Sequence, residues 1–413
     1  MYLLPMSIYR GLKSWFIHEF QYILAGMRRL TTNADFDHRL LIFDDIFPHM
    51  LSAFRIAEFN TYLDEFYGSI VYSTASAFYF IDERRPIEEV IQEYNFYFPE
   101  NQCKVRKYTH SQDFRGGLAY TIFIDNAFNF IRIAELYQSK FAFTLYPGGG
   151  FQLGDRNSDE KLLRVFSSPS FCKVIVTQQV TYDYLVDKKL CSPDQIEFIY
   201  GGVLPSQLLI KKEIKKKRFP KDKNTFDICF VANKYTQQGI DKGYDLFIEV
   251  AKALASTYSD MEFHVVGSFD SNDIDVSIIQ DRIHFYGTQF TDFFPSFYSK
   301  MDIVLSPNRP FILAPGGFDG FPTGACIEAG LSGVAVFCSD PLQQNIKFQD
   351  GKNIIIIQTD INQIFDQVEY FYNRLNELYK LSCFGQKEFR KIFDLTAQMQ
   401  PRIDLLNELL EGV

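Results

Sequence analysis

A glycine- and proline-rich loop at residues 315–322 precedes residues that could bind an anion. Thr323 suits the N-cap of a helix, because its hydroxyl can accept from a free amide of the first turn. The amides and dipole at such a helix end attract negative charge. Glu328 lies about 7.5 Å further along the axis, at ~1.5 Å per residue. This spacing fits a diphosphate at the helix start with its ribose at the carboxylate. An ordinary βαβ crossover is the alternative interpretation.

Two apolar runs predict the strands that would position this helix. Residues 303–305 come before the loop and residues 334–338 come after the helix. Gly333 fits the far end of the helix as a residue in the left-handed conformation. The expected unit is therefore a strand, a loop that can approach a ligand closely, a helix and a second strand.

The segment at residues 319–340, DGFPTGACIEAGLSGVAVFCSD, resembles a known donor site. It is similar to the donor-binding segment of family-4 (group 1) glycosyltransferases, which are retaining enzymes of the GT-B fold. The resemblance implies that Glu328 binds the ribose of a nucleotide sugar and that Asp319 contacts the sugar. Gly320 occupies the position where the family has its first Glu, and Asp319 stands one residue earlier. Either the loop carries a one-residue bulge or the sugar is contacted differently.

The same resemblance implies cations that hold the donor diphosphate. Lys242, followed by a glycine, matches a Lys-Gly pair that the family has at a helix start. Lys234 stands where the family usually has an arginine, and would act as a point charge without the bidentate fork. An exposed loop lysine is the alternative for Lys234, and Arg309 is a third candidate. Gly287 and Thr288 lie where resembling enzymes hold the nucleotide base.

These cations and the amides near Thr323 and Gly324 would stabilise negative charge on the departing diphosphate. The expected reaction therefore needs neither a metal ion nor another cofactor. Lys242 and Asp319 are the predicted catalytic residues.

Three glycines, Gly148, Gly149 and Gly150, follow an apolar run at residues 141–146. At the end of a strand they either face the cleft as an acceptor or donor-sugar loop, or form a tight turn. Gly154 brings them near a dinucleotide fingerprint, but the spacing differs. The next strand also ends in Thr177-Gln178 rather than in the acid that a ribose would need, so NAD binding is a weak alternative.

Other polar residues of the first half have structural alternatives. Asp44 and Asp45 could act as a base or bind an acceptor hydroxyl, or they could cap the following helix. His110 is a candidate acceptor-side base. The histidines show no metal-ligand spacing, and the seven cysteines contain no C-x-x-C pair, which argues for reduced thiols and against a zinc site.

The fold class predicted is α/β, with two Rossmann-like doubly wound parallel-sheet domains of the GT-B type. A length of 413 residues suits two domains, and strands alternate with helices from residue 37. The expected parts are a helical extension (1–36), an N-terminal acceptor domain (37–204), a solvated basic linker (205–224), a nucleotide-sugar-binding domain (225–390) and a helix that crosses back (391–413).

Residues 7–31 predict a cationic amphipathic helix. It either packs on the N-terminal domain or lies at a membrane interface with Trp15 as an anchor. No charge-free apolar run approaches the ~18 residues of a membrane span. The expected location is cytoplasmic, with peripheral contact at the inner face of the membrane as an alternative. A net charge of −9 argues against a nucleic-acid partner.

The function expected from the resemblance is metal-independent, retaining glycosyl transfer from a nucleotide-diphosphate sugar. The acceptor would be a glycan, a lipid-linked molecule or a protein, in polysaccharide or glycoconjugate biosynthesis. The chain could act alone, as a homo-oligomer or with a partner glycosyltransferase. Two alternatives stay open, namely a GT-B-like binding subunit without catalysis and a sugar-nucleotide epimerase of the same fold.

Overall fold

The computed structural model describes residues 23–27, 39–80, 85–211 and 213–412. Residues 23–27 are helical, which falls within the predicted amphipathic helix. The rest of that helix, including Trp15, lies outside the described residues. No helix in the described part of the chain is both long and apolar enough to cross a bilayer.

The first sheet has seven parallel strands in the order β3-β2-β1-β4-β5-β6-β7. Its strands are β1 (Leu40–Asp44), β2 (Ile70–Ser73), β3 (Val105–Lys107), β4 (Leu118–Ile122), β5 (Lys140–Leu145), β6 (Phe171–Val176) and β7 (Ile196–Phe198). Its longer helices are α1 (Ala53–Glu65), α2 (Ile87–Tyr97), α3 (Ile124–Tyr137), α4 (Arg156–Phe166) and α5 (Gln179–Asp187). Strand order reverses between β1 and β4, which is where open α/β sheets form a ligand crevice.

The second sheet has six parallel strands in the order β10-β9-β8-β11-β12-β13. Its strands are β8 (Phe226–Val231), β9 (Met261–Val266), β10 (Ile283–Phe285), β11 (Ile303–Ser306), β12 (Ala335–Ser339) and β13 (Ile355–Ile357). The helices from residue 206 onwards are α6 (Ser206–Leu209), α7 (Tyr244–Thr257), α8 (Phe294–Tyr298), α9 (Gly324–Leu331), α10 (Ile361–Tyr372), α11 (Leu375–Phe393) and α12 (Leu395–Glu411). The predicted fold class is confirmed by these two doubly wound sheets.

The central strands are mostly apolar and are buried along their whole length, because helices cover both faces of each sheet. Strands β1, β4 and β12 are buried at every residue. The apolar runs at residues 141–146 and 334–338 therefore locate strands β5 and β12 within one residue, but no such run marks β3, α2 or α4. Strand β3 has only three residues, and two of them are exposed.

The basic segment 205–224 is packed more closely than a solvated linker. The Lys216 ammonium donates to the carbonyl of Tyr298 at 3.0 Å. Lys223 pairs with the carboxylates of Asp227 and Asp302. The expectation of a solvated segment was therefore wrong for Lys216 and Lys223, because backbone carbonyls and carboxylates of the second domain accept from both ammonium groups.

Helix α12 returns to the first domain. Met399, Ile403 and Leu406 are buried in the same apolar cluster as strands β1 and β4. Arg402, on the same helix, is fully buried. The end of the chain therefore forms part of the first domain's core.

Candidate functional site

A cavity of about 460 Å³ lies between the two domains, at the ends of their strands. From the second domain it is lined by Lys242, Asp319, Thr323, Gly324 and Glu328, among others. These residues come from two separate stretches of the chain, at residue 242 and at residues 319–328, that the fold brings together. The first domain supplies the opposite wall.

Helix α9 begins at this cavity, and the amides of its first turn are free. Its first internal hydrogen bond runs from the Ile327 amide to the Thr323 carbonyl at 3.0 Å. The three amides before Ile327 therefore have no acceptor within the helix. Thr323 is the N-cap residue, but its side chain makes no capping hydrogen bond. The predicted hydroxyl cap was wrong, and the open helix end can bind an anion through its backbone.

Glu328 lies on the cavity wall, one and a half turns into helix α9. The side chain packs beside Tyr298, whose hydroxyl also approaches the Ala325 carbonyl at 3.4 Å. Burial raises the pKa of Glu328 to about 8, and a hydrogen bond with Tyr298 offsets part of that shift. A half-buried carboxyl of this kind is suited to accept hydroxyl donors from a ligand.

Lys242 and Asp319 form an ion pair at the cavity surface. The ammonium lies 2.8 and 2.6 Å from the two carboxylate oxygens. Burial alone would lower the pKa of Lys242, but the contact with Asp319 outweighs it and raises that pKa. The Asp319 carbonyl also accepts from the side-chain amide of Gln344 at 3.1 Å. The pair joins the turn before helix α7 to the loop before helix α9.

The glycine after Lys242 has a steric role. Gly243 has a φ of +75°, and a Cβ there would lie 2.2 Å from the Pro307 carbonyl oxygen. Only glycine fits this left-handed turn without strain. The turn can therefore pack against the end of strand β11 and carry Lys242 into the cavity.

Arg309 does not line this cavity. Its Nε donates to the Ile240 carbonyl at 3.0 Å, and its Nη2 pairs with Asp245 at 2.5 Å. In this structure Arg309 is therefore held outside the cavity where the diphosphate was predicted to bind. Arg309 instead braces the turn that carries Lys242.

Lys234 is also placed outside the cavity wall. Its ammonium lies 2.9 and 3.0 Å from the carboxylate oxygens of Asp273. Its neighbours Asn233 and Tyr235 line the cavity instead. The prediction of Lys234 as a donor-binding cation is therefore wrong for this conformation, because a carboxylate on a neighbouring loop holds it. Lys242 is the only cationic side chain among the described residues that line the cavity.

The region predicted for the nucleotide base lies at the edge of the cavity. Thr288 and Gln289 line it, whereas Gly287 does not. The Gly287 carbonyl accepts from the Gly267 amide at 2.9 Å, which fixes the turn behind the wall. Gly320 lines the cavity beside Asp319.

The glycines at residues 148–150 form a tight turn behind the wall. The Phe151 amide donates to the Gly148 carbonyl at 3.0 Å, and the Asp125 amide donates to the Gly149 carbonyl at 3.1 Å. Tyr146 and Pro147 line the cavity, and the three glycines do not. The expectation of a glycine loop facing the cleft was wrong, and the tight-turn alternative describes the structure.

The remaining polar candidates have structural partners. Asp44 is fully buried, and it accepts from the amides of Ile46 and Phe47 at 2.8 and 2.6 Å. Arg55 bridges Asp44 and Asp45. The two aspartates therefore hold the β1–α1 turn rather than cap helix α1. His110 is exposed beside Tyr108 and does not line the cavity.

Gln178 connects the first domain to the donor loop. Its side-chain oxygen accepts from the Phe321 amide at 3.2 Å. The Leu153 amide donates to the Gly316 carbonyl at 2.9 Å, and Phe318 is buried in the first domain's core cluster. From the sequence, Gln178 is identified only as the end of a strand. Its position at the carboxyl end of β6 was the available signal.

Metal ligands are not grouped in the described ranges. No set of three or more His, Cys, Asp or Glu side chains there is arranged to hold a metal ion. The positive potential at the site comes from Lys242 and the amides of helix α9.

A comparison with protein families decides the identity of the second domain. Residues 225–374 match the family described as "Glycosyl transferases group 1". The second domain is a group 1 glycosyltransferase domain. The match includes Lys242, Asp319 and helix α9 with Glu328, so the candidate donor site lies within the glycosyltransferase domain. The resemblance of residues 319–340 to glycosyltransferases is thereby confirmed at the level of group 1. The enzyme class is glycosyltransferase. No curated protein sequence matches the chain significantly.

Solved structures show that both domains follow the GT-B glycosyltransferase architecture. A glycosyltransferase from Rickettsia africae aligns with a TM-score of 0.66 at 12% identity, covering 91% of this chain and 99% of that one. The Anabaena protein HepE, in complex with UDP, aligns with a TM-score of 0.65 at 14% identity, covering 90% and 100%. Sucrose-phosphate synthase from Thermosynechococcus elongatus gives a TM-score of 0.60 at 14% identity, covering 91% and 100%. At these identities the likeness concerns the fold.

Proposed function

We propose that this glycosyltransferase moves a sugar from a nucleotide-diphosphate sugar to an acceptor hydroxyl, with retention of anomeric configuration. The observation that carries the proposal is the convergence of Lys242, Asp319, Glu328 and the open end of helix α9 on one cavity. The complex of HepE with UDP makes a uridine nucleotide the first donor to test. Retention is an inference from the group 1 match alone.

In the proposed complex the donor diphosphate lies at the start of helix α9. Its ribose hydroxyls donate to Glu328, and its base lies near Thr288 and Gln289. The Lys242 ammonium turns from Asp319 towards the phosphates. Asp319 is then left to accept from hydroxyls of the donor sugar. Both movements are rotations of side chains that already meet in the cavity.

Bond breaking is assisted by charges that are in place before the reaction. As the bond from the anomeric carbon to the diphosphate oxygen breaks, the leaving phosphate gains negative charge beside Lys242 and the helix amides. The acceptor oxygen forms the new bond to the same carbon. We assign its proton to the departing diphosphate, because the described first-domain residues that line the cavity include no carboxylate. The proposal uses no metal or other cofactor.

The acceptor approaches along the first-domain wall, and the product belongs to a polysaccharide or another glycoconjugate. We propose a cytoplasmic location for the enzyme, because nucleotide sugars are made there. Contact with a membrane surface, which depends on residues 7–31, is a secondary proposal. Assembly with further copies or a partner glycosyltransferase is another.

The proposal is tested by calorimetry and by donor turnover. UDP, GDP and dTDP, and the corresponding glucose conjugates, are titrated into the purified chain. We expect one nucleotide to bind preferentially, and its sugar conjugate to be hydrolysed or transferred at the same rate with and without EDTA. Loss of turnover in EDTA that returns with Mg²⁺ or Mn²⁺ would contradict the charge assignment. Failure of all three nucleotides to bind would contradict the function.

A binding subunit without catalysis is the second candidate function. It is favoured by the small number of cations at the cavity, since Lys234 and Arg309 are held by Asp273 and Asp245. Such a subunit would bind a nucleotide without turning over its sugar conjugate, and would bind tightly to a separate glycosyltransferase. The calorimetric and turnover measurements together distinguish the two functions.

A further inference from the structure

The first-domain wall of the cavity contains a compact set of aromatic rings. Phe54, Phe123 and Tyr146 line it, and their ring centroids are 5.7 to 6.1 Å apart. Met50, Leu51 and Pro147 extend the same surface. We call Phe54, Phe123 and Tyr146 the aromatic wall. It faces the donor residues across the space where an acceptor must enter.

Phe123 is held in a conformation that favours glycine. Its φ is +69° and its ψ is 149°, a region in which a bulky side chain strains the backbone. The backbone is anchored by a hydrogen bond from the Phe123 amide to the Thr144 carbonyl at 2.8 Å. A Cβ on Gly149 would lie 2.4 Å from the Phe123 ring, so the glycine turn leaves the space that this ring occupies. The chain thus maintains a strained backbone to present this ring.

The other two rings are fixed by buried charges. The Tyr146 hydroxyl donates to the fully buried Glu58 carboxylate at 2.9 Å, which turns its polar end away from the cavity. The Arg55 guanidinium lies 4.9 Å from the Phe54 centroid and 5.0 Å from the Phe123 centroid. Arg55 is 5% exposed and is not part of the cavity surface. The aromatic wall is therefore rigid, and it presents ring carbons to a ligand.

One polar group on the same side of the cavity as the aromatic wall has no hydrogen-bond partner. Thr177 is fully buried, lines the cavity, and has no hydrogen-bond partner for its hydroxyl oxygen. Its neighbour Gln178 is engaged with the Phe321 amide. No charged side chain from the described part of the first domain lines the cavity. The first-domain side of the cavity thus combines the aromatic wall with the free neutral hydroxyl of Thr177, and it has no positive charge to bind an anion.

We propose that the aromatic wall and Thr177 form the acceptor subsite for an uncharged pyranose. The less polar face of the sugar ring stacks on Phe54, next to the Phe123 ring, which is perpendicular to Phe54. One ring hydroxyl hydrogen-bonds to Thr177. An acceptor phosphorylated close to its reacting hydroxyl is disfavoured, because burying a phosphate against this wall would leave its charge unpaired. The proposal rests on the proposed glycosyl transfer and adds the class of acceptor.

Saturation-transfer NMR with the intact chain tests the subsite directly. The probes are the methyl pyranosides of glucose, galactose, mannose and N-acetylglucosamine, with glucose 6-phosphate and mannose 6-phosphate as charged counterparts. We expect ring-proton saturation for at least one neutral pyranoside and a weaker response from the phosphates. Phe54→Ala should weaken the best neutral probe about tenfold or more, while Phe54→Trp retains binding. Thr177→Val should weaken it, and Thr177→Ser should not.

Matched measurements separate this subsite from the donor site. Phe384→Ala removes an exposed phenylalanine outside the cavity and should leave pyranoside binding unchanged. UDP affinity should be the same in wild type and Phe54→Ala. Preferential binding of the phosphates, equal binding by wild type and Phe54→Ala, or no response from any of the four pyranosides would overturn the acceptor subsite. Absence of nucleotide binding would instead contradict the proposed function, because pyranoside binding is also measured without nucleotide.

Discussion

The ammonium of Lys242 lies 2.6 Å from one carboxylate oxygen of Asp319, a residue 77 positions further along the chain. The two residues sit on different βα units of the second domain and meet at the surface of the inter-domain cavity. In the absence of a donor each satisfies the charge of the other. A diphosphate sugar offers both a replacement, namely phosphate oxygens to Lys242 and sugar hydroxyls to Asp319. The ion pair therefore keeps two charges in position at the cavity surface for a ligand that separates them.

Replacement of Lys242 should affect turnover more than donor binding. Lys242→Ala is expected to lower kcat about 100-fold, because phosphate charge grows towards the transition state. Steady-state kinetics with the preferred nucleotide sugar measure this split. Lys234→Ala is the matched control, since Lys234 pairs with Asp273 outside the cavity, and its kcat should stay within about twofold of wild type. Equal losses in the two variants would contradict the assignment of Lys242.

Replacement of Asp319 should affect the sugar and spare the nucleotide. Asp319→Asn is expected to lower kcat/KM for the nucleotide sugar by about tenfold or more, the cost of a lost charge-assisted hydrogen bond. The affinity for free UDP should change by less than about twofold. Asp273→Asn is the control outside the cavity. A large loss of UDP affinity in Asp319→Asn would show that this carboxylate acts through Lys242 rather than on the sugar.

The ribose assignment predicts a loss of nucleotide affinity. Glu328→Ala should weaken UDP binding by about 1.5–3 kcal/mol, as expected for hydrogen bonds to a charged group. Calorimetry measures the change, and circular dichroism checks that the variant is folded. A folded variant with wild-type affinity would remove Glu328 from the nucleotide site.

The raised pKa of Glu328 predicts how donor affinity depends on pH. Since burial raises this pKa to about 8, the unliganded carboxyl is largely protonated at neutral pH. Ribose hydroxyls donate better to the ionised form, so affinity for UDP-glucose should rise with pH and level off above pH 8. Glu328→Gln should abolish this dependence. Wild-type affinity that is flat or falls between pH 6.5 and 8.5 would contradict it.

The raised pKa of Glu328 also predicts that the stability of the free protein falls as pH rises, whereas donor affinity rises. The folded state retains a proton that the unfolded chain loses above its ordinary pKa of 4.5. Glu328 therefore costs stability increasingly as pH rises from 4.5 towards 8. Thermal unfolding at pH 8.5 should give a higher Tm for Glu328→Gln than for wild type, with a smaller difference at pH 5.

Gln178 should act as a positioning residue for the donor loop. Gln178→Ala removes the bond to the Phe321 amide, and we expect a loss of about fivefold in kcat, equivalent to one neutral hydrogen bond. UDP affinity should change little. Gln179→Ala is the neighbouring control, because that side chain contacts Asp183 on its own helix. An unchanged kcat in Gln178→Ala would contradict a role for this contact.

Arg402 predicts a large effect on stability. Its buried guanidinium faces Glu58 and Tyr146, so Arg402→Met leaves Glu58 with less compensation inside the first domain. We expect a loss of about 3–5 kcal/mol in the free energy of unfolding, measured with urea. Lys391→Met, at an exposed position, should change it by less than about 0.5 kcal/mol. The double variant Glu58→Gln/Arg402→Met should recover part of the loss.

The parts of this molecule that could be predicted are those encoded over short stretches. The run of small residues around Glu328 and the Lys-Gly pair at Lys242 indicated a helix end and a cation, and the fold brings both to one cavity. Strands such as Lys140–Leu145 were located within a residue because both faces of the sheet are covered and most of the run is apolar.

Features that depend on distant partners could not be predicted in this way. The sequence offers Arg309 as a free cation, but its partner Asp245 lies 64 residues away and holds it outside the cavity. Lys234 is held by Asp273 for the same reason. The aromatic wall was missed because nothing local marks Phe123 as a residue with positive φ. Tertiary packing supplies that conformation.

Phe318 and Asp319 are adjacent in the chain, but their side chains lie in different domains' surroundings. Phe318 is buried in the apolar core of the first domain, while Asp319 faces the donor site of the second. Separation of the domains would therefore pull Asp319 away from the nucleotide by way of its neighbour. Only the closed arrangement would offer the sugar its carboxylate. A donor held by the second domain alone would therefore lack a complete reaction centre.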